Sequence, residues 1–369
     1  MTMRRVRDAL AVSVCVLAAA CSASGRAVTP AGSYDALAVA ASRSFLDRYV
    51  GSDGRVVRHD QSGDTVSEGQ GYAMLVAVAI DDRPGFDRVW NWTRQELQRP
   101  DGLLAYHWQD GRVADATPAA DADLQVAWAL TLAASRFRDS ALTVAAKKLA
   151  TATADHEISY DRLGRPVLAA GPWAVGKDGG KTTMEPGYWT FQAMQSLATL
   201  TADQRWATMA DATRAHLLEI TKDGAALPPD WAHYGDGMGS QPSASPTGDV
   251  PPQSGLDGLR AVVWASCWPE LRPVAAKWWQ LLGAKDPSQT ASMPLSRSLA
   301  GTPTSSAQSP LAAVAAAAAA RAAGARDISD RLLAAGDRLA ASYPTYYGQA
   351  WMALGRLLLT TPRLPCNPR

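Results

Sequence analysis

The sequence predicts an all-α fold, a toroid of twelve helices taken in consecutive pairs. Three observations carry this. Apolar residues recur with the 3.6-residue period of a helix along most of the chain, β-type alternation is scarce, and no strand-rich stretch separates two halves. A chain of 369 residues is long enough for two domains. Helices that repeat in pairs from end to end argue instead for one closed unit over residues 34–362. Hydrophobic residues, 47% of the total, supply a core and exclude wholesale disorder.

Taken in order, the chain opens on an address. Arg4, Arg5 and Arg7 precede an apolar run over residues 9–20, the size of a signal-peptide core and too short to span a bilayer. The run ends Leu-Ala-Ala-Ala-Cys at Cys21, which resembles a bacterial lipobox with Ala18 where Leu is preferred. Residues 1–20 are expected to be a signal peptide, Cys21 a lipidated first mature residue, and 21–33 a short tether. The chain is then secreted, or anchored by lipid to the outer face of the cell membrane. No later stretch reaches the length of a membrane span.

The helices are expected at 34–50, 68–80, 84–97, 121–137, 140–155, 186–197, 202–218, 256–267, 269–282, 309–323, 327–341 and 346–359. Pro84, Pro186 and Pro269 stand at starts, where the ring's fixed φ and missing N–H are tolerated. Asp121, Ser140, Ser309 and Asp327 bring the acceptors that helix starts favour. Residues 240–254 and 301–309, rich in Ser, Pro and Gly, read as loops. The alanine run 312–320 reads as a packing helix. Gly180-Lys181-Thr182 imitates the end of a phosphate-binding loop, but Val175 stands where its first glycine belongs and no strand precedes it.

Composition narrows the function classes. Thirty-six Lys and Arg against 35 Asp and Glu leave a net charge of +1, no footprint for nucleic acid or an anionic lipid surface. The five histidines lack ligand spacing and there is no CxxC, so no dedicated metal site is expected. Cys15 leaves with the signal and Cys21 is taken by lipid. Cys267 and Cys366 remain, and an oxidising compartment permits their pairing, although sequence says nothing of how closely they approach. Thirteen Trp against four Phe suit the stacking of sugar rings, and equally an ordinary core.

The informative residues are acids at helix starts. Glu68 lies in VSEGQGYAM, Asp121 and Asp123 in PAADADLQVAWAL, Asp257 in SGLDGLRAVVW. Any one of them is explained by the helix dipole or by capping. The set is harder to dismiss. Glu68, Asp121 and Asp257 begin the second, fourth and eighth helices, and in an up-down toroid even-numbered helices all open at one end. Three distant acids then converge in one cleft, and paired carboxylates are the minimal equipment for glycoside hydrolysis.

The blocks SEGQGYAM, DRPGFDRVWNWT, AADADLQVAWALTLAASRF and LDGLRAVVW resemble glycoside hydrolase family 8, closest to its bacterial β-1,4-glucanases, and in the family's order over about residues 35–360. The aspartate block follows A-[ST]-D-[AG]-D-x-x-[IM]-A, departing at Ala120, Val126 and, beyond it, Thr131. The resemblance implies an (α/α)6 barrel and an inverting mechanism. It implies Glu68 as general acid, Asp257 as general base and Asp121 as the residue that grips and distorts the sugar, with Asp123 supporting the helix start or contacting substrate. Arg260, three residues after Asp257 on one helical face, favours an ionised base. Glu68 among Gly, Tyr and aliphatic residues favours a protonated acid.

For the groove, LLAYHWQDG places Tyr106 and Trp108 in a loop where the family carries aromatic platforms. Tyr188 in EPGYW matches the family's N-P-S-Y element, with Glu185 and Gly187 differing, and would lie near the attacking water. Trp231 in PPDWAHY would stack or pack, and Leu256 stands where the family often has Tyr. The expected protein is a monomeric endo-β-1,4-glucanase that needs no cofactor. The alternatives are a same-family xylanase, chitosanase or lichenase, or a catalytically silent glycan-binding lipoprotein on the same toroid.

Overall fold

Even-numbered helices that read apolar all round belong inside, and amphipathic odd-numbered ones outside. A computed structural model bears this out; it describes residues 31–366 apart from 177–179, 236, 238, 247, 249 and 284–292. The signal peptide, Cys21 and the tether up to residue 30 lie outside the described residues. Twelve α-helices form among those described: α1 (Ala31–Tyr49), α2 (Ser67–Ala79), α3 (Arg83–Glu96), α4 (Ala120–Phe137), α5 (Ser140–His156), α6 (Phe191–Thr201), α7 (Gln204–Thr221), α8 (Leu256–Ser266), α9 (Arg272–Leu281), α10 (Pro310–Ala322), α11 (Arg326–Ser342) and α12 (Tyr346–Thr360).

The inner ring runs α2, α4, α6, α8, α10, α12, each packed on the next, and α12 returns to α2. That is the expected (α/α)6 barrel. Every residue of α2 except Glu68 is buried, and α10 buries everything from Pro310 to Ala320. The outer α11 buries one stripe instead, Ser329, Leu332, Leu333, Gly336 and Ala340. Small residues bring inner helices together: a Cβ on Gly355 of α12 would stand 2.5 Å from Val314 Cγ1 of α10. Trp128, Trp264 and Trp351 from α4, α8 and α12 pack edge-on along the ring's middle, with centroids 6.3 and 5.5 Å apart. Six of the thirteen tryptophans are fully buried, so much of that excess is core.

The ring is fastened at its seam. Arg363, just past α12, donates to both carboxylate oxygens of Asp35 in α1 at 2.5 and 2.8 Å. Cys267 and Cys366 do pair, with Cα atoms 4.4 Å apart, tying the segment after α12 to the end of α8.

Two sequence expectations change. The sixth helix, expected at 186–197, is divided into a 3-10 turn at Pro186–Tyr188 and α6. The turn is a separate unit because it lies against the start of α8. A Cβ on Gly187 would stand 2.3 Å from the Asp257 carbonyl oxygen, so only glycine permits the approach. Short antiparallel strands also appear in the connections. Thr65–Val66, His107–Gln109 and Arg112–Asp115 form one sheet, and Thr182–Met184, Trp231–Tyr234 and Ser240–Ser243 another. The loop expected over 240–254 is thus paired at both ends, since Gln253–Ser254 joins Arg297–Ser298. Runs of two to four residues are too short for alternation to register in sequence.

Candidate active site

All these strands lie in connections from an odd to an even helix, whereas the even-to-odd connections are short. The long connections therefore gather at the end where the inner helices begin. There they wall a cavity of about 380 Å³ lined by Glu68, Asp121, Glu185, Tyr188, Asp257 and Arg260 among others. Convergence of the three acids is as expected.

These acids do not serve as caps in the manner of their neighbours. Caps are made elsewhere by residues outside the site: Asp82 accepts from Gly85 N, Asp139 from Ala141 N and Asp203 from Arg205 N. The carboxyl of Glu68 takes side-chain donors, Tyr346 Oη on Oε1 at 3.3 Å, and Tyr72 Oη and Arg260 Nη1 on Oε2 at 3.3 and 3.1 Å. Asp121 Oδ1 accepts from Ala122 N at 2.8 Å, while Oδ2 faces Arg260 Nη1 at 2.8 Å. The start of α8 is served by Asp230, whose Oδ1 accepts from Gly255 N and Gly258 N at 2.6 and 2.9 Å. Asp257 is thereby left to the cavity.

Arg260 is the hub. Its side chain is 2% exposed; Nη2 donates to Asp257 Oδ1 at 2.7 Å and to Glu185 Oε1 at 2.6 Å. Its guanidinium also lies over the Tyr188 ring, 5.1 Å from the centroid. Glu68 sits on Nη1 and Asp257 on Nη2, so the two carboxyls flank one guanidinium.

Burial raises the Glu68 carboxyl to about 7; Arg260 pulls it down, and the charges of Asp121 and Asp257 push it further up. Loss of water thus favours the protonated form, while Arg260 and Arg58, which reach the carboxyl from far along the chain, oppose it. Burial also raises Asp121, against the pull of Arg260.

The remaining expected residues divide. Tyr106, Tyr188 and Trp231 line the cavity. Asp123 is buried beneath it, and Oδ1 accepts from Leu104 N at 2.9 Å, which holds the preceding connection to the start of α4. Trp108 stands in a short strand rather than a loop and outside the cavity wall. It packs edge-on against Trp92 under the Arg55 guanidinium, and its Nε1 donates to Glu96. Sequence reasoning missed Tyr346 and Tyr347, which line the cavity from the start of α12; the rule that even helices open at one end extends to them. It also missed Trp173, half exposed, whose ring lies 6.4 Å from that of Trp231 and lengthens the aromatic wall.

Among the described residues no cluster of three or more His, Cys, Asp or Glu is arranged to hold a metal ion. None of the helices described is long and apolar enough to cross a membrane.

A profile of glycosyl hydrolases family 8 matches residues 14–361. An endoglucanase of Cellulomonas uda is 27% identical over 239 residues, 63% of this chain and 65% of that protein. A probable endoglucanase of Novacetimonas hansenii is 30% identical over 257 residues, 65% of this chain and 71% of that protein. The chain spans just under two thirds of the first and slightly more of the second. Among solved structures, an endo-β-1,4-glucanase from Acetobacter xylinum superposes with a TM-score of 0.69 at 24% identity, covering 88% of this chain and 98% of that one. A β-1,3-1,4-glucanase from a Paenibacillus gives a TM-score of 0.79 at 17% identity, covering 90% and 93%. At such identities the likeness is one of fold.

Proposed function

Because the chain belongs to glycosyl hydrolase family 8, we propose that it is an endo-acting glycoside hydrolase that cleaves β-1,4-glucan with inversion at the anomeric carbon. One observation carries the reading: Arg260 stands between the Glu68 carboxyl, 17% exposed and raised to about 7, and the carboxyl of Asp257, 32% exposed. Glu68 gives its proton to the glycosidic oxygen as that bond breaks. Asp257 takes a proton from a water that attacks the anomeric carbon from the opposite face. Asp121 and Tyr188 hold the sugar ring and the water between them. Two carboxyls and a water suffice for this displacement, and the products leave Glu68 ionised and Asp257 protonated until solvent resets both. A cavity with Tyr106 and Trp231 in its wall, and with Trp173 packed beside Trp231, supports attack within a polymer.

The stereochemistry tests this. Carboxyls roughly 6.5–9.5 Å apart admit the water and release α-anomers from a β-linked glucan. Proton NMR of fresh cello-oligosaccharide digests should show α-anomers before mutarotation; early β-anomers would overturn the assignment of Asp257. Reducing-sugar assays on carboxymethylcellulose, xylan and chitosan decide the polymer, and binding without turnover on any of them would identify a silent lectin-like protein.

The site of action is proposed to be outside the cytoplasm, on a lipid anchor at Cys21 or free. The basic and apolar leader supports it, as does the Cys267–Cys366 pair, which persists in oxidising compartments. Labelled palmitate incorporated by the full chain and lost in Cys21→Ala is the expected result for an anchor.

A further inference from the structure

Glu185 belongs to no helix. It directly precedes the 3-10 turn, and its carboxyl reaches the same Nη2 of Arg260 that holds Asp257, at 2.6 and 2.7 Å. Glu68 and Asp121 occupy Nη1. Four carboxyls therefore share one guanidinium, and the next arginine on the cavity wall, Arg58, is engaged bidentately by Asp64. Were all four ionised, four negative charges would face one positive charge in a site largely removed from water. Charge of that excess is not sustained in such a place, and protons are retained instead.

One proton is on Glu68, as the chemistry requires. The position of a second follows from exposure and from donors. The Glu185 and Asp121 side chains are each 3% exposed and that of Asp257 is 32%, so water solvates an anion on Asp257 far better. Asp121 also accepts from the backbone N–H of Ala122, which favours its charged form, so the proton falls to Glu185. We propose that Glu185 is a positioning residue that keeps its proton throughout the working range of the site, so that Arg260 devotes the charge at Nη2 to Asp257 while holding a neutral partner on the same nitrogen. The inference rests on the role of Asp257 as base given above.

Other features agree. Burial holds the Glu185 carboxyl well above the usual range, with the charge of Asp257 adding to the effect and Arg260 opposing it. The titratable and charged groups that face it are Asp257 and Arg260 from α8, Asp121 from α4 and Tyr188 from its own turn.

The test uses Glu185→Gln, which is neutral at every pH, alongside Glu185→Ala in the full chain. In infrared difference spectra at pH 8, wild type minus Glu185→Gln should show a protonated-carboxyl stretch; a carboxylate band in its place would overturn the proposal. The Gln variant should keep kcat within about threefold and leave the pH–rate profile unmoved, while Ala loses about tenfold or more. A profile displaced to lower pH in the Gln variant would mean that a negative charge had been removed, and Gln falling as far as Ala would deny the neutral-partner role. Asp257→Asn, measured in parallel, separates the premise from the inference. If it turned over normally the base assignment would fail, whereas the infrared difference would still decide the state of Glu185.

Discussion

Glu68 is the one residue of α2 that the packing does not bury, and the fold sets its proton. Glu68→Gln should lower kcat by about 10²–10⁴ and leave oligosaccharide binding intact, read by steady-state kinetics beside calorimetry. In the wild type, kcat/KM should fall as pH rises through about 7, where the free enzyme's acid deprotonates. A second consequence concerns stability. The carboxyl titrates near 4.5 when unfolded and near 7 when folded, so in that window the folded chain holds a proton that the unfolded chain has released. Stability therefore declines as pH rises from 4.5 through 7. Glu68→Gln removes the linkage, and should melt higher than wild type at pH 8 but alike near pH 4 by calorimetry. How the acids met was legible in sequence because helix parity decides which ends share a face. That Arg260 would serve four carboxyls was not, because spacing from Asp257 reveals one partner and nothing of the three from other helices.

At the scale of elements, Asp230 shows what periodicity misses. It lies beside a short strand, yet it caps α8 across 25 residues by accepting from Gly255 N, and from Gly258 N as well. Burial and the charge of Asp257 raise its carboxyl to about 6. Asp230→Ala should cost about 1–2 kcal/mol, the usual toll of a lost cap, measured by urea unfolding. Turnover should fall more than KM rises, because the start of α8 carries Asp257. The helices themselves were readable, since whole turns of apolar residues leave a strong signal. The divided sixth helix was not, because the break at Trp189 and Thr190 answers to α8 rather than to its own residues. Trp108 is the opposite case: a tryptophan beside a histidine in a polar connection looks exposed, and only the contacts with Trp92 and Arg55 show it engaged elsewhere.

At the scale of the whole molecule, the two faces of the ring have separate duties. Short connections close one face and fix the packing; long ones carry the cleft on the other, so function can vary without disturbing the ring. The disulfide reinforces the structural side. It closes a loop of 99 residues, and Cys366→Ser should lower stability by about 2–4 kcal/mol with activity below the new melting point little changed, read from urea midpoints. The seam has a further consequence. With α1 against α12 and Asp35 gripped by Arg363, the backbone just past the last helix lies beside the first turns of α1. A necklace whose clasp can be fastened may be opened at any bead. A short linker across the seam, with the chain reopened at the exposed turn of Leu163 and Gly164 between the antiparallel strands Ile158–Tyr160 and Pro166–Leu168, should yield a circular permutant that folds to the same inner ring and retains turnover, since neither the clasp nor the new opening touches the cleft.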